Sequence, residues 1–157
     1  MSTVREVFDI AVHLMDEQNE STGSTDTTGT REYRLRTPPL LNSLLDRAYP
    51  ASDTWPGTVE ERDEAGVLRR RRPVCPKVTD MDDEIGLDER LCTGALPYGL
   101  AALLLTEEDK SRAEFFWQTF LEQLAEAMRG VPGGTGSVED CYGLLGDTLE
   151  YGRFSRW

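Results

Sequence analysis

Hydrophobic positions along the chain recur with spacings that predict four helices. Val4, Val7, Phe8, Ala11, Leu14 and Met15 fall at 3.6-residue intervals, so a helix is expected over residues 4–18. Thr3 precedes this stripe and Glu6 follows three residues later, the pattern of a capping box. A second helix is expected over 31–49, with Leu40, Leu41, Leu44 and Leu45 on its apolar face. Pro38 and Pro39 make it a kinked helix or two short ones, and Pro50 stops it. The third, over 87–105, is apolar on every side in its later part, and a helix apolar all round is buried all round. It therefore belongs at the centre of a bundle, with a kink at Pro97. The fourth runs over 107–129, capped by Thr106 and stopped by Gly130. Its stripe is Ala113, Phe116, Trp117, Phe120, Leu124, Ala127 and Met128.

The segments between these helices are polar or irregular. Residues 21–30 (STGSTDTTGT) read as a flexible loop. Residues 51–76 carry an acidic run (Glu60, Glu61, Asp63, Glu64), Gly66 and then four arginines. Val59 and Val67-Leu68 flank a Glu-Ala-Gly turn, the pattern of a β-hairpin. An isolated two-stranded hairpin is marginal in water, so this one needs a partner surface. Residues 131–136 (VPGGTG) form a linker, and Ser137 and Asp140 can cap a short helical turn through Leu145. The fold class expected is mainly α: a four-helix bundle with kinked helices, a small β-hairpin arm and an extended C-terminal tail. The bundle domain spans 1–130, with the hairpin arm at 51–78, and the linker and docking tail span 131–157.

Composition narrows what such a domain can do. The 157 residues suffice for one core, and the formal net charge of −12 argues against a free-standing nucleic-acid binder, whose affinity comes from Lys and Arg on phosphates. The charge still permits a protein past which DNA slides without sticking. The N-terminal residues lack a charged-then-apolar signal pattern, and the longest apolar stretch, 95–105, is too short to cross a bilayer. A soluble protein made in a cytosol and without membrane contact is expected. Cys75, Cys92 and Cys141 are widely spaced and odd in number, so all three are expected as reduced thiols.

Tests for catalytic chemistry come out negative. His13, the single histidine, points away from the apolar stripe of its helix, and no GxSxG, HExxH or Walker sequence is present. Gly133-Gly134-Thr135-Gly136 follows a helix rather than a strand and has no lysine after it, so it is a poor phosphate cradle. Asp80, Asp82 and Glu84 have calcium-loop spacing, but an EF-hand counted from Asp80 would place Ile85 where glycine is required and Leu91 where the bidentate glutamate belongs. Those acids fit better as favourable charges before the positive end of the third helix. No catalytic residue, metal or cofactor is expected.

The informative residues are those suited to contacts with other molecules. Phe115 sits nearly opposite the apolar stripe of its helix, either as an isolated exposed aromatic or as a contact with a neighbouring subunit. Tyr151, Arg153, Phe154, Arg156 and Trp157 give the tail the composition of interface anchors, the plainer alternative being a tail folded back onto its own bundle. Arg69, Arg70, Arg71 and Arg72 either face DNA or a neighbour, or pair across the hairpin with the acids upstream.

At this point the sequence resembles a family. Thr79-Asp80-Met81-Asp82-Asp83-Glu84 followed by Leu87-Asp88, and then Leu96-Pro97-Tyr98-Gly99-Leu100-Ala101-Ala102-Leu103-Leu104, is similar to the middle of the head–tail connector (adaptor) proteins in the neck of tailed bacteriophages. There an acidic lead-in precedes a helix with an LPYGLAA-type sequence. Ala113-Glu114-Phe115-Phe116-Trp117-Gln118 resembles the amphipathic helix that follows, and Arg36-Thr37-Pro38-Pro39-Leu40-Leu41-Asn42 and Tyr151-Gly152-Arg153-Phe154 match in type. The likeness covers the four helices and the tail; the Arg69–Arg72 run and the length of 131–150 depart from the pattern. The resemblance implies a non-enzymatic structural virion protein, a helical subunit forming a ring of copies beneath the portal protein and extending the DNA channel. Its hairpin arm would face the channel or a neighbour, and its C-terminal segment would dock on the portal. The partners implied are the portal protein, other copies of the chain, a downstream neck or head-closure protein, and transiting DNA bound without sequence specificity. The place implied is the head–tail junction of the virion, after assembly in the host cytoplasm. An acidic channel wall would repel phosphates rather than trap them. The competing reading is an acidic cytosolic helical binding module or inhibitor that mimics nucleic acid; it accounts for the charge but gives no reason for the aromatic tail. An enzyme with an unrecognised site is a third, and no carboxylate pair singles itself out for it.

Overall fold

Four α-helices and one antiparallel β-ribbon make up the computed structural model, which describes residues 2–63 and 66–130. The helices are α1 (Val4–Met15), α2 (Arg31–Ala48), α3 (Leu96–Leu105) and α4 (Lys110–Gly130). The ribbon pairs β1 (Val59–Arg62) with β2 (Leu68–Arg71). The linker and the tail residues Tyr151, Arg153, Phe154, Arg156 and Trp157 lie outside the described residues, as does Cys141.

The start of α1 follows the capping-box pattern. The Thr3 hydroxyl accepts from the Glu6 N–H at 3.3 Å and the Glu6 carboxylate accepts from the Thr3 N–H at 3.1 Å. The acidic lead-in adds a second cap. The N–H groups of Val4 and Arg5, which no helical carbonyl reaches, donate to the carbonyls of Asp83 and Met81 at 3.1 and 2.8 Å, and Thr3 bridges Glu84. Asp82 pairs with Arg5 at 2.8 Å, and Asp83 closes its own turn by accepting from the N–H groups of Thr79 and Asp80. Most of these acids therefore serve the start of α1 and their own loop, rather than the start of α3 expected from sequence. Only Asp88 sits at that helix's entrance, accepting from the Ser52 hydroxyl at 2.6 Å. Thr3→Ala is expected to lower stability by about 1 kcal/mol, measured by denaturant unfolding, because it removes one reciprocal cap while leaving the carbonyl caps in place.

Helix α2 runs unbroken through Pro38 and Pro39, so the alternative of two short helices is not realised. Thr37, just before the pair, is buried and donates its hydroxyl to the Tyr33 carbonyl at 2.8 Å. The third helical stretch is interrupted instead. Residues Leu91–Ala95 form a wide turn in which the Leu96 N–H reaches the Leu91 carbonyl, five residues back, and α3 begins only afterwards. Pro97, with no N–H to donate, then falls in the first turn of α3, where a helix tolerates it. The cap of α4 also differs from expectation. Asp109 accepts from the N–H groups of Ser111 and Arg112, both at 3.1 Å, while the Thr106 hydroxyl turns back to the Ala102 carbonyl.

The core is organised on α3, which touches α1, α2 and α4. Leu96, Leu100, Ala101, Leu104 and Leu105 are buried, as the all-round apolar pattern demands. Gly99 is the notch where three helices meet: a Cβ built there would stand 3.0 Å from the Phe120 ring and 3.2 Å from both Leu44 methyls. On α1 the buried stripe includes Val12, which the periodicity left out, while Leu14 is half-buried. The expected flexible loop at 21–30 is tied down by local bonds. The Thr30 hydroxyl donates to the Thr25 carbonyl, the Thr25 hydroxyl to Asp9 at 2.6 Å, and Arg34 pairs with Asp26 at 3.0 Å.

Candidate functional site

Two side-chain clasps root the arm that carries the ribbon. On the far side Asn42 of α2 holds both backbone polar groups of one residue of the returning chain: its amide N–H donates to the Val78 carbonyl at 2.8 Å and its oxygen accepts from the Val78 N–H at 2.9 Å. On the near side Ser52 is held by Asp88. Trp55 stands at the base, edge-on to Tyr49 at 5.3 Å, with the Arg72 guanidinium 5.7 Å from its ring centre.

Beyond these anchors the ribbon has no apolar face. The register places Val59 opposite Arg71, Glu60 opposite Arg70, Glu61 opposite Arg69 and Arg62 opposite Leu68. Side chains alternate between faces, so each face carries both signs of charge. Glu60 and Arg70 pair directly at 2.9 Å, and Arg71–Glu61 at 3.0 Å and Arg69–Asp63 at 3.1 Å pair diagonally. Cross-strand pairing is thus present for Arg69, Arg70 and Arg71, while Arg72 lies over Trp55. Pairing does not bury the charges: the side chains of Arg69, Arg70 and Arg71 stay 75%, 73% and 67% exposed. Surface pairs of this kind contribute little each, about 0.2–1 kcal/mol. Val67, Leu68 and Val74 are exposed apolar side chains on and beside this ribbon.

A second surface lies on the helices. Phe115 is 64% exposed, its ring tilted against that of Phe116 at 5.8 Å between centres. On another side of α4, Leu103, Thr106, Lys110, Ala113 and Trp117 line a shallow groove of about 320 Å³ between α3 and α4. Arg47 of α2 covers the Trp117 ring at 5.2 Å. Sequence reasoning placed Trp117 in the core stripe and missed this groove, because a stripe's edge cannot be told from its centre without knowing which helices flank it. Arg112 was missed as well: its guanidinium donates to the Met15 carbonyl at 2.9 Å, satisfying the end of α1. A basic residue one turn into a helix carries no signal of a partner nearly a hundred residues upstream.

Among the described residues, acidic, histidine and cysteine side chains do not gather into a metal-holding cluster. His13 is exposed. Among the described residues no cluster of three or more His, Cys, Asp or Glu could hold a metal, and Asp80, Asp82 and Glu84 do not converge on one point. Hydrogen bonds from Thr79 and Asp80 lower the Asp83 pKa below the usual carboxylate value. Burial, then the bond to Glu108, raises the Tyr33 phenol well above its ordinary value. Cys75 and Cys92 are buried free thiols, pushed up to about 11 and about 12 by that burial and then by Asp46 and Asp88 respectively. Thiols held protonated in this way are inert rather than nucleophilic. Among the described residues no helix is long and apolar enough to cross a membrane. Comparison with protein-family models, with curated proteins and with solved structures finds no match for this chain.

Proposed function

We propose that this chain is a structural, non-enzymatic head–tail connector (adaptor) subunit, which forms a ring beneath the portal of a tailed bacteriophage. In this reading the four helices are the bundle of one ring subunit, bent where its prolines remove backbone donors. The ribbon is the arm laid against the next copy or the channel. The observation that carries the reading is the ribbon itself. It is rooted at both ends by Asn42 and Ser52, exposed along both strands and almost without contact to the helices. A two-stranded ribbon with no apolar face is poorly stable alone and gains most from a neighbour of matching charge. The resemblance in the LPYGLAA segment agrees, since that segment supplies the central helix on which the others pack.

The test is co-sedimentation of the full chain with isolated portal rings from the same source, beside a chain ending at Glu150. The expected result is that the full chain binds as a ring and that loss of Tyr151–Trp157 weakens binding at least tenfold. Equal binding of the two would remove the tail from the portal contact. If neither binds, the connector reading fails, and capture of a basic DNA-handling enzyme would put the acidic nucleic-acid mimic in its place.

A further inference from the structure

The two outer edges of the ribbon differ in charge and match in bonding rhythm. Beside the turn the Asp63 N–H donates to the Val67 carbonyl at 3.1 Å. Bonded and non-bonded pairs alternate along an antiparallel ladder, so in this register Glu61–Arg69 and Val59–Arg71 exchange bonds inside the ribbon. The N–H and C=O groups of Glu60 and Arg62 then point outward from β1, and those of Leu68 and Arg70 outward from β2. Among the described residues no third strand covers either side.

Charge separates the two edges. Strand β1 carries Glu60 and Glu61 against a single arginine, whereas β2 carries Arg69, Arg70 and Arg71 and no acid. Each of these three arginines meets an acid within its own ribbon, yet its side chain remains at least 67% exposed. Its other flank can therefore take a second carboxylate. Two β2 edges side by side would set arginine against arginine, but a β1 edge beside a β2 edge sets acid against base. We propose that the β1 edge of one copy pairs with the β2 edge of the next, continuing the antiparallel sheet from subunit to subunit. In the ribbon's own register, Glu60 of one copy exchanges backbone bonds with Arg70 of its neighbour and Arg62 does so with Leu68, about four bonds in all. The lines through Glu60 and Arg70, and through Glu61 and Arg69, then alternate in sign from copy to copy. Such a contact is head-to-tail, so it propagates into a ring instead of stopping at a two-fold dimer. It rests on the reading of the ribbon as an arm between copies, and adds which edge meets which.

Disulfide trapping between two variants tests this, in full chains that also carry Cys141→Ser. Between copies Glu61 and Arg69 form a non-bonded pair, whose Cα atoms, about 4.5 Å apart, suit a disulfide. Chains with Glu61→Cys are mixed with chains with Arg69→Cys at high concentration under mild oxidation. The mixed dimer is expected to form at least tenfold faster than either variant links to itself. Equal rates, or no mixed dimer, would overturn the proposal. A fast homodimer of the Arg69→Cys chain would overturn it too, by placing two β2 edges together. Adding Leu68→Pro to the Arg69→Cys chain examines the backbone, because proline there removes an outward N–H but no charge and no bond within the ribbon. Mixed dimer formation should slow at least fivefold while the helical circular dichroism stays the same, and an unchanged rate would show that the strands do not pair. Portal co-sedimentation reads the connector role separately: chains that bind portals yet give no mixed dimer would keep that role and lose this contact.

Discussion

Phe120→Ala is expected to cost about 3–5 kcal/mol in denaturant unfolding, the loss typical of a fully buried ring. Phe120 is 0% exposed and its ring lies against the backbone of Gly99, with Trp117 beside it at 5.2 Å. Total stability for a domain of ordinary size is about 5–15 kcal/mol, so the variant retains only a fraction of it. The notch makes the prediction specific. Gly99→Ala alone sets two effects against each other, a gain of about 0.5–1 kcal/mol in helix propensity and an overpacking cost of about 1–3 kcal/mol. With Cβ only 3.0 Å from the Phe120 ring and 3.2 Å from Leu44, overpacking wins and the single variant is destabilised. Removing the Phe120 ring frees one side of that Cβ. Gly99→Ala should therefore cost less in the Phe120→Ala background, with a coupling of about 0.5–3 kcal/mol in a double-mutant cycle. Strict additivity would show that the three helices do not meet at this point.

Alkaline pH should produce the second large effect. Cys92 and Cys75 hold their protons in the folded chain up to about 12 and about 11, from an ordinary value of 9.0. Above pH 9 the unfolded chain has lost thiol protons that the folded chain keeps, so rising pH favours unfolding. The stabilisation is complete below pH 9 and is lost progressively as pH climbs toward the folded values. The upper limit is about 1.4 kcal/mol per pH unit for each thiol, and less where solvent screens the site. Tyr33 adds to the same trend at pH values above its ordinary 10.0. Urea unfolding at pH 8 and pH 10.5 should show the drop, and Cys75→Ala with Cys92→Ala should flatten it. A slope unchanged by the double substitution would mean that the buried thiols are not its source.

Much of this architecture was legible in the sequence because it rests on local chemistry. The capping box at Thr3, most of the apolar stripes of α1 and α4, the burial of most of α3 (Tyr98 and Leu103 are half-buried) and the pairing of Val59 with the 68–71 strand each depend on residues a few positions apart, or on a short turn. What escaped depends on which distant segment arrives. The acids at 80–84 were assigned to the nearest helix start in sequence, yet the helix end they reach is more than 70 residues upstream, at Val4 and Arg5. Thr106 reads as a cap because its residue type precedes the apolar run, whereas its hydroxyl bonds a carbonyl one turn back and Asp109 caps α4 instead. The Asn42–Val78 clasp joins residues 36 positions apart and leaves no trace in either neighbourhood. For the candidate surfaces, Phe115 is exposed, as both of its alternatives required, and Arg69, Arg70 and Arg71 pair with acids while remaining exposed. The α3–α4 groove was not foreseen.

The wide turn at Leu91–Ala95 bears on how this helix can change. Each residue of an α-helix advances about 100° around its axis, so a turn holding one extra residue resets the azimuth of everything on one side of it relative to the other. Residues of the wide turn touch α1 and α4, whereas α3 beyond it also touches α2. One continuous rod thus presents two differently phased surfaces, and no single period describes both. Length within 91–95 is consequently a rotational coordinate. Deleting one residue there would restore regular winding but swing the upstream segment by roughly 100°. That would carry Asp88 away from Ser52 and detach one root of the arm without altering a single side chain in either.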